Sequence, residues 1–248
     1  MKTLYSIHHS PWSERARFVL LHHGFEFVEK EHVPLIGEIA LRFRAKKWTG
    51  VSVPLLVDDG GTVVQGSLAI AEHLDKSGKG KGKTLFPDGK RELIGKLFED
   101  LEEPMRAARE RFVKLFPTSR EAQMEALPPL LRKVPLAGAM ANMGASFIAR
   151  KYAANDGNVD ERIRNGMLRV RDALAGRDYV VGADLSFADI LCASVLQTVS
   201  PFDDTYLDFP PATRKLWFDA PVAHEFADLM TWRDALYAKH RPIDPEHR

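Results

Sequence analysis

The order of secondary-structure patterns in residues 1–78 is the feature that most constrains the fold. Polar and apolar residues alternate in TLYSIHH and FEFVEKEHV, and the apolar runs VPLLV and TVV flank a DDGG turn, so these segments are typical of strands and of a hairpin. SERARFVLLHHG, GEIALRFRAKK and SLAIAEHLDKSG have helical spacing instead, and two of them stop at a glycine. The sequence therefore predicts the order β-α-β-α-β-β-α.

The rest of the chain has a different character. Residues 79–90 are rich in glycine and lysine and predict an exposed linker, whereas residues 91–248 predict an all-α domain. A long amphipathic helix begins at Arg91, with a kink expected at Pro104. Further helical patterns cover Leu136–Tyr152, Val159–Leu174, Ser186–Val199 and Val222–Ala238. Three prolines within eight residues interrupt residues 117–144, for which we predict only broken helix and loop.

Composition excludes several classes of function. Thirty-five basic against 34 acidic residues give a net charge of +1, which provides no overall attraction to nucleic acid or to an anionic membrane. No apolar run is long enough for a membrane span, and the first residues lack the pattern of a signal peptide. The single cysteine, Cys192, excludes a disulfide within the chain and argues against a cysteine metal site, and we expect it to be buried and inert. These features favour a cytoplasmic protein.

The first helix begins with an arrangement suited to an anion. Ser10 precedes Pro11, a residue favoured at the first helical position, so Ser10 is expected to be the N-cap. The free amides of a helix N-terminus favour negative charge and lower the pKa of a nearby thiol. Because residues 1–78 contain no cysteine, a thiolate at this position would have to arrive on a ligand. A simple capping role for Ser10 and Ser13 remains the alternative.

Two further segments offer backbone groups to a ligand. Pro54 at the start of a predicted strand is explained by a special turn, with a cis peptide as one option, that leaves the backbone of Val53 free to pair. An ordinary edge proline is the alternative. Gly66 and Ser67 begin another helix, which offers amides and a hydroxyl to a carboxylate. Here the alternative is a plain N-cap.

Taken together, these segments resemble cytosolic glutathione transferases of the serine type, in particular bacterial members, over essentially the whole chain. SPWSERARFVL is similar to the first-helix motif, VPLL to the strand led by a cis-proline, and GSLAIAEHLD to the glutathione-binding turn. VVGADLSFADILCASVL is similar to the internal capping box of the second domain, in which Ser186 caps the helix and Asp189 reaches back to it. The resemblance implies a thioredoxin-like N-terminal α/β domain followed by an all-α helical domain.

The resemblance also implies roles for individual residues. Ser10 would be the catalytic hydroxyl that stabilises the glutathione thiolate, with Ser13 the competing choice. Glutathione-binding residues would be Val53, Pro54, Gly66 and Ser67, with Lys46, Lys47 or Trp48 as candidates for its glycyl carboxylate. Trp12, Arg109 and Phe112 are candidates for the electrophile pocket. We expect glutathione as the cosubstrate, a small and largely apolar electrophile, a homodimer, a role in detoxification, and no metal, nucleic acid or membrane partner.

One position departs from the pattern of the family. An acidic or amide side chain usually precedes the serine of the glutathione-binding turn, whereas this chain has Gly66, with Gln65 one residue earlier. A transferase-like binding or scaffolding protein without catalysis is therefore the competing hypothesis. An isomerase or bond-cleaving speciality is also compatible with the motifs, whereas a thioredoxin-type oxidoreductase would need a cysteine in the first domain.

Overall fold

The computed structural model describes residues 1–34, 37–152 and 157–243. Its N-terminal region contains a four-stranded mixed sheet in the order β2-β1-β3-β4. The strands are β1 (Lys2–Ser6), β2 (Phe27–Glu31), β3 (Leu55–Val57) and β4 (Val63–Gln65). Strand β1 is parallel to β2 and antiparallel to β3, which forms the predicted hairpin with β4. Three helices, α1 (Pro11–His22), α2 (Glu38–Ala45) and α3 (Ser67–Lys76), complete the predicted order.

The alternation of side chains along the strands divides the helices between the two faces of the sheet. Leu4 and Leu56, which are paired across β1 and β3, belong to the same core cluster as the apolar residues of α1 and α3. Their neighbours Tyr5 and Leu55 point the other way and pack with Leu41 of α2. This is the thioredoxin-like arrangement that the sequence predicted.

A helical region follows, as predicted. The helices are α4 (Arg91–Leu115), α5 (Arg120–Glu125), α6 (Ala137–Lys151), α7 (Val159–Leu174), α8 (Phe187–Gln197), α9 (Pro211–Trp217), α10 (Ala220–Glu225) and α11 (Ala227–His240). In the part of the chain that the structure describes, no helix is long and apolar enough to cross a membrane.

The structure differs from the sequence-based expectations in three places. The predicted helix Val222–Ala238 is two helices, α10 and α11, separated at Phe226. Helix α9 was missed, because Pro210 and Pro211 at its start resemble a loop signal. The expected linker is exposed only in part, because Leu85 and Phe86 are buried in the main core. In residues 117–144, for which the sequence predicted only broken helix and loop, α5 and two short 3₁₀ turns precede α6.

Helix α8 is the most deeply buried element of the helical region, with every residue from Phe187 to Gln197 buried. The predicted capping box is present at its start. The Asp189 carboxylate accepts hydrogen bonds from the N–H and the hydroxyl of Ser186, at 2.8 and 2.7 Å, and a third from the N–H of Val180 at 2.7 Å. These bonds fix the start of α8, and with it Ser194 and Gln197, which contact the N-terminal region.

Helices α4 and α7 approach closely where Pro104 meets Gly166. A Cβ atom added to Gly166 would lie 2.3 Å from Cβ of Pro104, so only glycine fits. Pro104 lies inside a continuous α4, where its ring fills the groove left by the missing side chain. This contact holds the middle of α4, the part of the helix that faces the first turn of α1.

Candidate functional site

Ser10 and Ser13 have different surroundings, although they lie in the same turn. Ser10 is the N-cap residue of α1, but its hydroxyl makes no capping hydrogen bond. The hydroxyl of Ser13 is fully buried and accepts a hydrogen bond from the N–H of Ile7 at 3.2 Å. Since Ser13 is occupied in holding the loop that leads into α1, Ser10 is the hydroxyl that is available to a ligand.

The pairing of the strands places the three predicted ligand segments at one end of the sheet. Tyr5, near the end of β1, pairs with Leu55 at the start of β3, and Leu55 pairs with Gln65 at the end of β4. The chain continues from β1 toward Ser10 and from β4 into Ser67, and Pro54 directly precedes β3. Three turns that are distant in sequence therefore share one edge, where α1 and α3 both begin.

The turn before β3 has the predicted geometry. The Val53–Pro54 peptide bond is cis, and the carbonyl of Pro54 accepts a hydrogen bond from the N–H of Gly66 at 2.9 Å. Within residues 1–34, 37–152 and 157–243, Val53 makes no backbone-to-backbone hydrogen bond. Its amide and carbonyl are thus available for an extended peptide-like ligand.

Ser67 and Gln65 carry polar atoms that lack partners at the start of α3. Ser67 is 2% exposed, and its hydroxyl has no hydrogen-bond partner among the described residues. The same is true of Oε1 of Gln65, while its Nε2 donates to the carbonyl of Gly50 at 2.9 Å. Buried polar atoms are normally hydrogen-bonded, so these two atoms indicate a polar ligand.

The backbone conformation of Gly66 accounts for the glycine at a position where the resemblance leads one to expect an acidic or amide side chain. Gly66 has a φ of +91°, a conformation that side chains rarely adopt, and a Cβ placed on it would have no atom within 4 Å. Glycine adopts this conformation without steric cost. The position beside Ser67 therefore has the required turn but no side chain to contact a ligand.

The candidates for the glycyl carboxylate lie between α2 and β3. Lys46 ends α2 in the left-handed conformation, with φ of +53°. The Trp48 side chain is 65% exposed and packs edge-on against Phe43, with ring centroids 5.2 Å apart. The structure supplies no contact that favours Lys46, Lys47 or Trp48 over the others.

Helix α4 covers the turn that carries Ser10. The ring of His9 lies 5.7 Å from that of Phe112, and the guanidinium of Arg109 lies 5.2 Å from the ring of Trp12. Ser10 lies between these two contacts in the sequence. All three electrophile-pocket candidates are therefore beside the first turn of α1, although Phe112 is largely buried by stacking on Trp217 at 4.8 Å.

His9 is a packing residue. Its ring lies between Phe112 and Phe209, and burial, together with the neighbouring His8, lowers its pKa to about 4. The imidazole is therefore neutral near pH 7. The backbone carbonyl of His9 accepts a hydrogen bond from Nε2 of Gln197 at 3.1 Å, which ties the loop before α1 to α8.

Glu102 of α4 contacts the first turn of α1, a role that the sequence did not predict. Its carboxylate accepts hydrogen bonds from Nε1 of Trp12 at 2.9 Å and from the buried Arg15 at 2.8 Å. Arg15 in turn donates to the hydroxyl of Ser194 at 2.6 Å. No local pattern in the sequence around Glu102 indicates this role, because it depends on the contact of Trp12 and Arg15 with α4 in the folded chain.

The remaining sequence-based candidates take no part in this arrangement. Cys192 is buried in α8, where burial raises the pKa of its thiol far above the usual range, as expected for an inert residue. Across the described ranges of the chain, no group of three or more His, Cys, Asp or Glu side chains is arranged to hold a metal ion.

Comparisons with known proteins concern the family of the N-terminal region and the fold of the chain. Residues 4–82 match the family model described as "Glutathione S-transferase, N-terminal domain". A search of curated proteins found no match.

Solved structures extend the comparison to the whole chain. A Ceriporiopsis subvermispora glutathione S-transferase in complex with glutathione is 18% identical, with a TM-score of 0.59 over 98% of this chain and 99% of that one. One from Methylobacterium radiotolerans, in complex with glutathione sulfonate, is also 18% identical, with a TM-score of 0.59 over 98% and 95%. The glutathione transferase GSTFuA2 from Phanerochaete chrysosporium is 15% identical, with a TM-score of 0.63 over 98% and 99%. In sequence, the N-terminal third of this chain is thus similar to glutathione S-transferases, and the chain as a whole has their fold.

Proposed function

We propose that the chain is a glutathione transferase in which Ser10 stabilises the thiolate of glutathione for attack on a small electrophile. The observation that carries this proposal is the set of unused polar groups at one end of the sheet: the Ser10 hydroxyl, the Val53 backbone and the buried, unpartnered Ser67 hydroxyl. The match of residues 4–82 supports it, as do relatives of the same fold that were solved with glutathione or glutathione sulfonate.

In this proposal each group contacts a different part of glutathione. Ser67 and the amide after it bind the γ-glutamyl carboxylate at the positive end of α3. Oε1 of Gln65 supplies a hydrogen-bond acceptor for the γ-glutamyl unit, which Gly66 cannot supply because it has no side chain. Val53 pairs through its backbone with the cysteinyl unit, in the turn held by Pro54. One of Lys46, Lys47 and Trp48 contacts the glycyl carboxylate. These contacts place the sulfur beside Ser10.

Catalysis is then electrostatic. The Ser10 hydroxyl and the first amides of α1 favour the thiolate over the thiol, and each unit of lowered thiol pKa corresponds to about 1.4 kcal/mol. The thiol ionises by releasing its proton to solvent, the thiolate attacks an electrophilic carbon, and the leaving group departs with its electron pair, so no general base on the protein is required. His9 has no proton-transfer role in this proposal, because its lowered pKa makes the imidazole a weak base near pH 7.

The proposal includes an organisation that follows from the resemblance. Residues 1–78 bind glutathione, residues 91–248 contribute the electrophile pocket, and residues 79–90 join them. The active form is a homodimer in the cytoplasm, and the physiological role is the detoxification of electrophiles.

The decisive experiment measures the ultraviolet absorbance of the glutathione thiolate against pH. We expect wild type to lower the pKa of bound glutathione by about two units and Ser10→Ala to abolish most of this shift. Ser13→Ala is the matched control: it removes a hydroxyl from the same turn and leaves the Ile7 N–H unpaired, so it should cost about 1–3 kcal/mol of stability but preserve the shift. The reverse pattern would transfer the role to Ser13.

The second candidate function is a non-catalytic, transferase-like binding or scaffolding protein. Gly66 favours it, because this position contributes no side chain to the γ-glutamyl group. Calorimetric binding of glutathione with no lowering of its thiol pKa in wild type would support this candidate over the transferase. If glutathione failed to bind, the transferase would be wrong, and the chain would be a protein of the same fold with another ligand.

A further inference from the structure

A polar cavity of about 350 Å³ lies beside the first turn of α1, between α4, the end of α6 and α7. Four basic and two acidic side chains line it, together with Tyr152. An apolar pocket would suit the small apolar electrophile that the resemblance implies. The lining of this cavity instead favours a ligand with negative charge.

Both acidic side chains of the cavity are neutralised by neighbours. Arg162 pairs with Glu103 at 2.6 Å and with Glu110 at 2.9 Å, and Lys114 pairs with Glu110 at 3.1 Å. Lys151, which also lines the cavity, pairs with Glu38 at 2.6 Å. After these ion pairs, the lining of the cavity has two further positive charges, which belong to two arginines of α4.

Arg106 and Arg109 are those two arginines. Among the ranges that the structure describes, neither forms a salt bridge. Glu102 is near Arg109, but its carboxylate is occupied by Trp12 and Arg15. The cavity therefore presents about two positive charges that no carboxylate of the described chain contacts.

Arg109 is also held in place. Its guanidinium lies 4.2 Å from the ring centroid of Tyr152 and 5.2 Å from that of Trp12, so cation–π contacts hold it between the two rings. The side chain is half-buried, and burial lowers its pKa. A guanidinium that is desolvated, positioned and without a carboxylate partner is suited to bidentate recognition of one.

We propose that this cavity binds a carboxylate of the second substrate, so that the electrophile is an organic acid rather than a neutral apolar compound. Arg109 forms the bidentate contact, and Arg106, which is more exposed, adds charge at the mouth. Trp12 connects the cavity to the reacting sulfur, because it contacts Arg109 and lies two residues after Ser10. The identification of the bound acid as the electrophile rests on the proposed transferase function.

The test compares two electrophiles that differ in charge, para-chloro-meta-nitrobenzoate and the corresponding benzamide. Thiolate attack forms a carbon–sulfur bond at the chlorinated carbon and expels chloride in both. We expect wild type to prefer the benzoate in kcat/KM, and Arg109→Gln to reduce this preference by about tenfold to hundredfold. Arg106→Gln should reduce it less, since the charge is more exposed.

Lys96→Gln is the matched control, because it removes one positive charge from the exposed side of the same helix. It should leave the benzoate preference unchanged. Equal preference for the two compounds in wild type, or the same loss in Lys96→Gln as in Arg109→Gln, would overturn the proposal.

Calorimetry separates this proposal from the transferase assignment. If wild type bound glutathione but neither lowered its thiol pKa nor turned over either compound, the transferase function would be wrong. Tighter binding of the benzoate than of the benzamide, lost in Arg109→Gln, would still establish the carboxylate site. Equal binding of both would overturn it.

Discussion

At the scale of single residues, the candidate site is marked by polar groups that the fold leaves unused. Ser13 and Ser10 illustrate the difference, because one hydroxyl is consumed by a backbone N–H and the other is not. The sequence predicted both serines at this turn but could not distinguish them. The distinction depends on where the Ile7 amide points, which only the folded loop determines.

Ser67 allows a test in which stability and binding change in opposite directions. Its buried hydroxyl has no partner in the described chain, so Ser67→Ala removes an unsatisfied polar group and should raise the free energy of unfolding by up to about 1 kcal/mol without glutathione. The same change should weaken glutathione binding about tenfold, because a hydrogen bond to a carboxylate is lost. Urea unfolding and calorimetry measure the two effects.

The comparison variant for Ser67→Ala is Ser77→Ala, at the other end of α3. The Ser77 hydroxyl donates to the carbonyl of Leu74 at 2.6 Å, so its removal should lower stability and leave glutathione affinity unchanged. A loss of stability in Ser67→Ala as large as that in Ser77→Ala would show that the Ser67 hydroxyl has a structural partner.

At the scale of elements, the sequence predicted most helices and strands, since their periodicity and end signals are local. It missed α9 and the break at Phe226, because a proline pair suggests a loop and because apolar periodicity continues across the break. The Arg109 cavity was also beyond sequence reasoning. It depends on residues from α4, α6 and α7, whose relative placement no local pattern encodes.

Helix α8 provides the prediction at this scale. Asp189 accepts backbone hydrogen bonds from Ser186 and Val180, so Asp189→Ala would leave two buried N–H groups without partners and should cost about 2–5 kcal/mol. Ser119→Ala removes an ordinary N-cap from the short helix α5 and should cost about 1 kcal/mol. Similar midpoints for both variants in chemical unfolding would contradict the special role of Asp189.

At the scale of the whole molecule, Glu14 of α1 joins the first helix to the last. Its buried carboxylate accepts hydrogen bonds from Arg241 at 2.9 Å and from Arg17 at 2.5 Å. Burial opposes ionisation, but the two arginines outweigh it and hold the pKa of Glu14 below its ordinary value. Its contribution to stability is therefore present above the ordinary carboxyl pKa and lost as pH falls through the lower pKa of the folded state.

Arg241→Ala tests this connection. It leaves the buried Glu14 carboxylate with one cationic partner, Arg17, instead of two, and we expect a loss of about 3 kcal/mol at neutral pH that shrinks at acid pH as the carboxyl is protonated. Lys83→Ala removes a cation from the exposed pair with Asp184 and should cost less than about 1 kcal/mol at any pH. A pH-independent loss in Arg241→Ala would instead indicate lost packing.

The burial of Leu85 and Phe86 has a consequence for how such a chain can be divided. The family match ends at residue 82, yet the main core runs without interruption from Leu4 and Phe18 to Leu101 and Ile190. The boundary of the region that matches the family model therefore does not coincide with a boundary of the hydrophobic core. Replacing the N-terminal region by that of a distant relative would therefore require apolar side chains that fit the surfaces of α4 and α8. We expect such a chimera to fold only when the two regions come from proteins with matching contact residues.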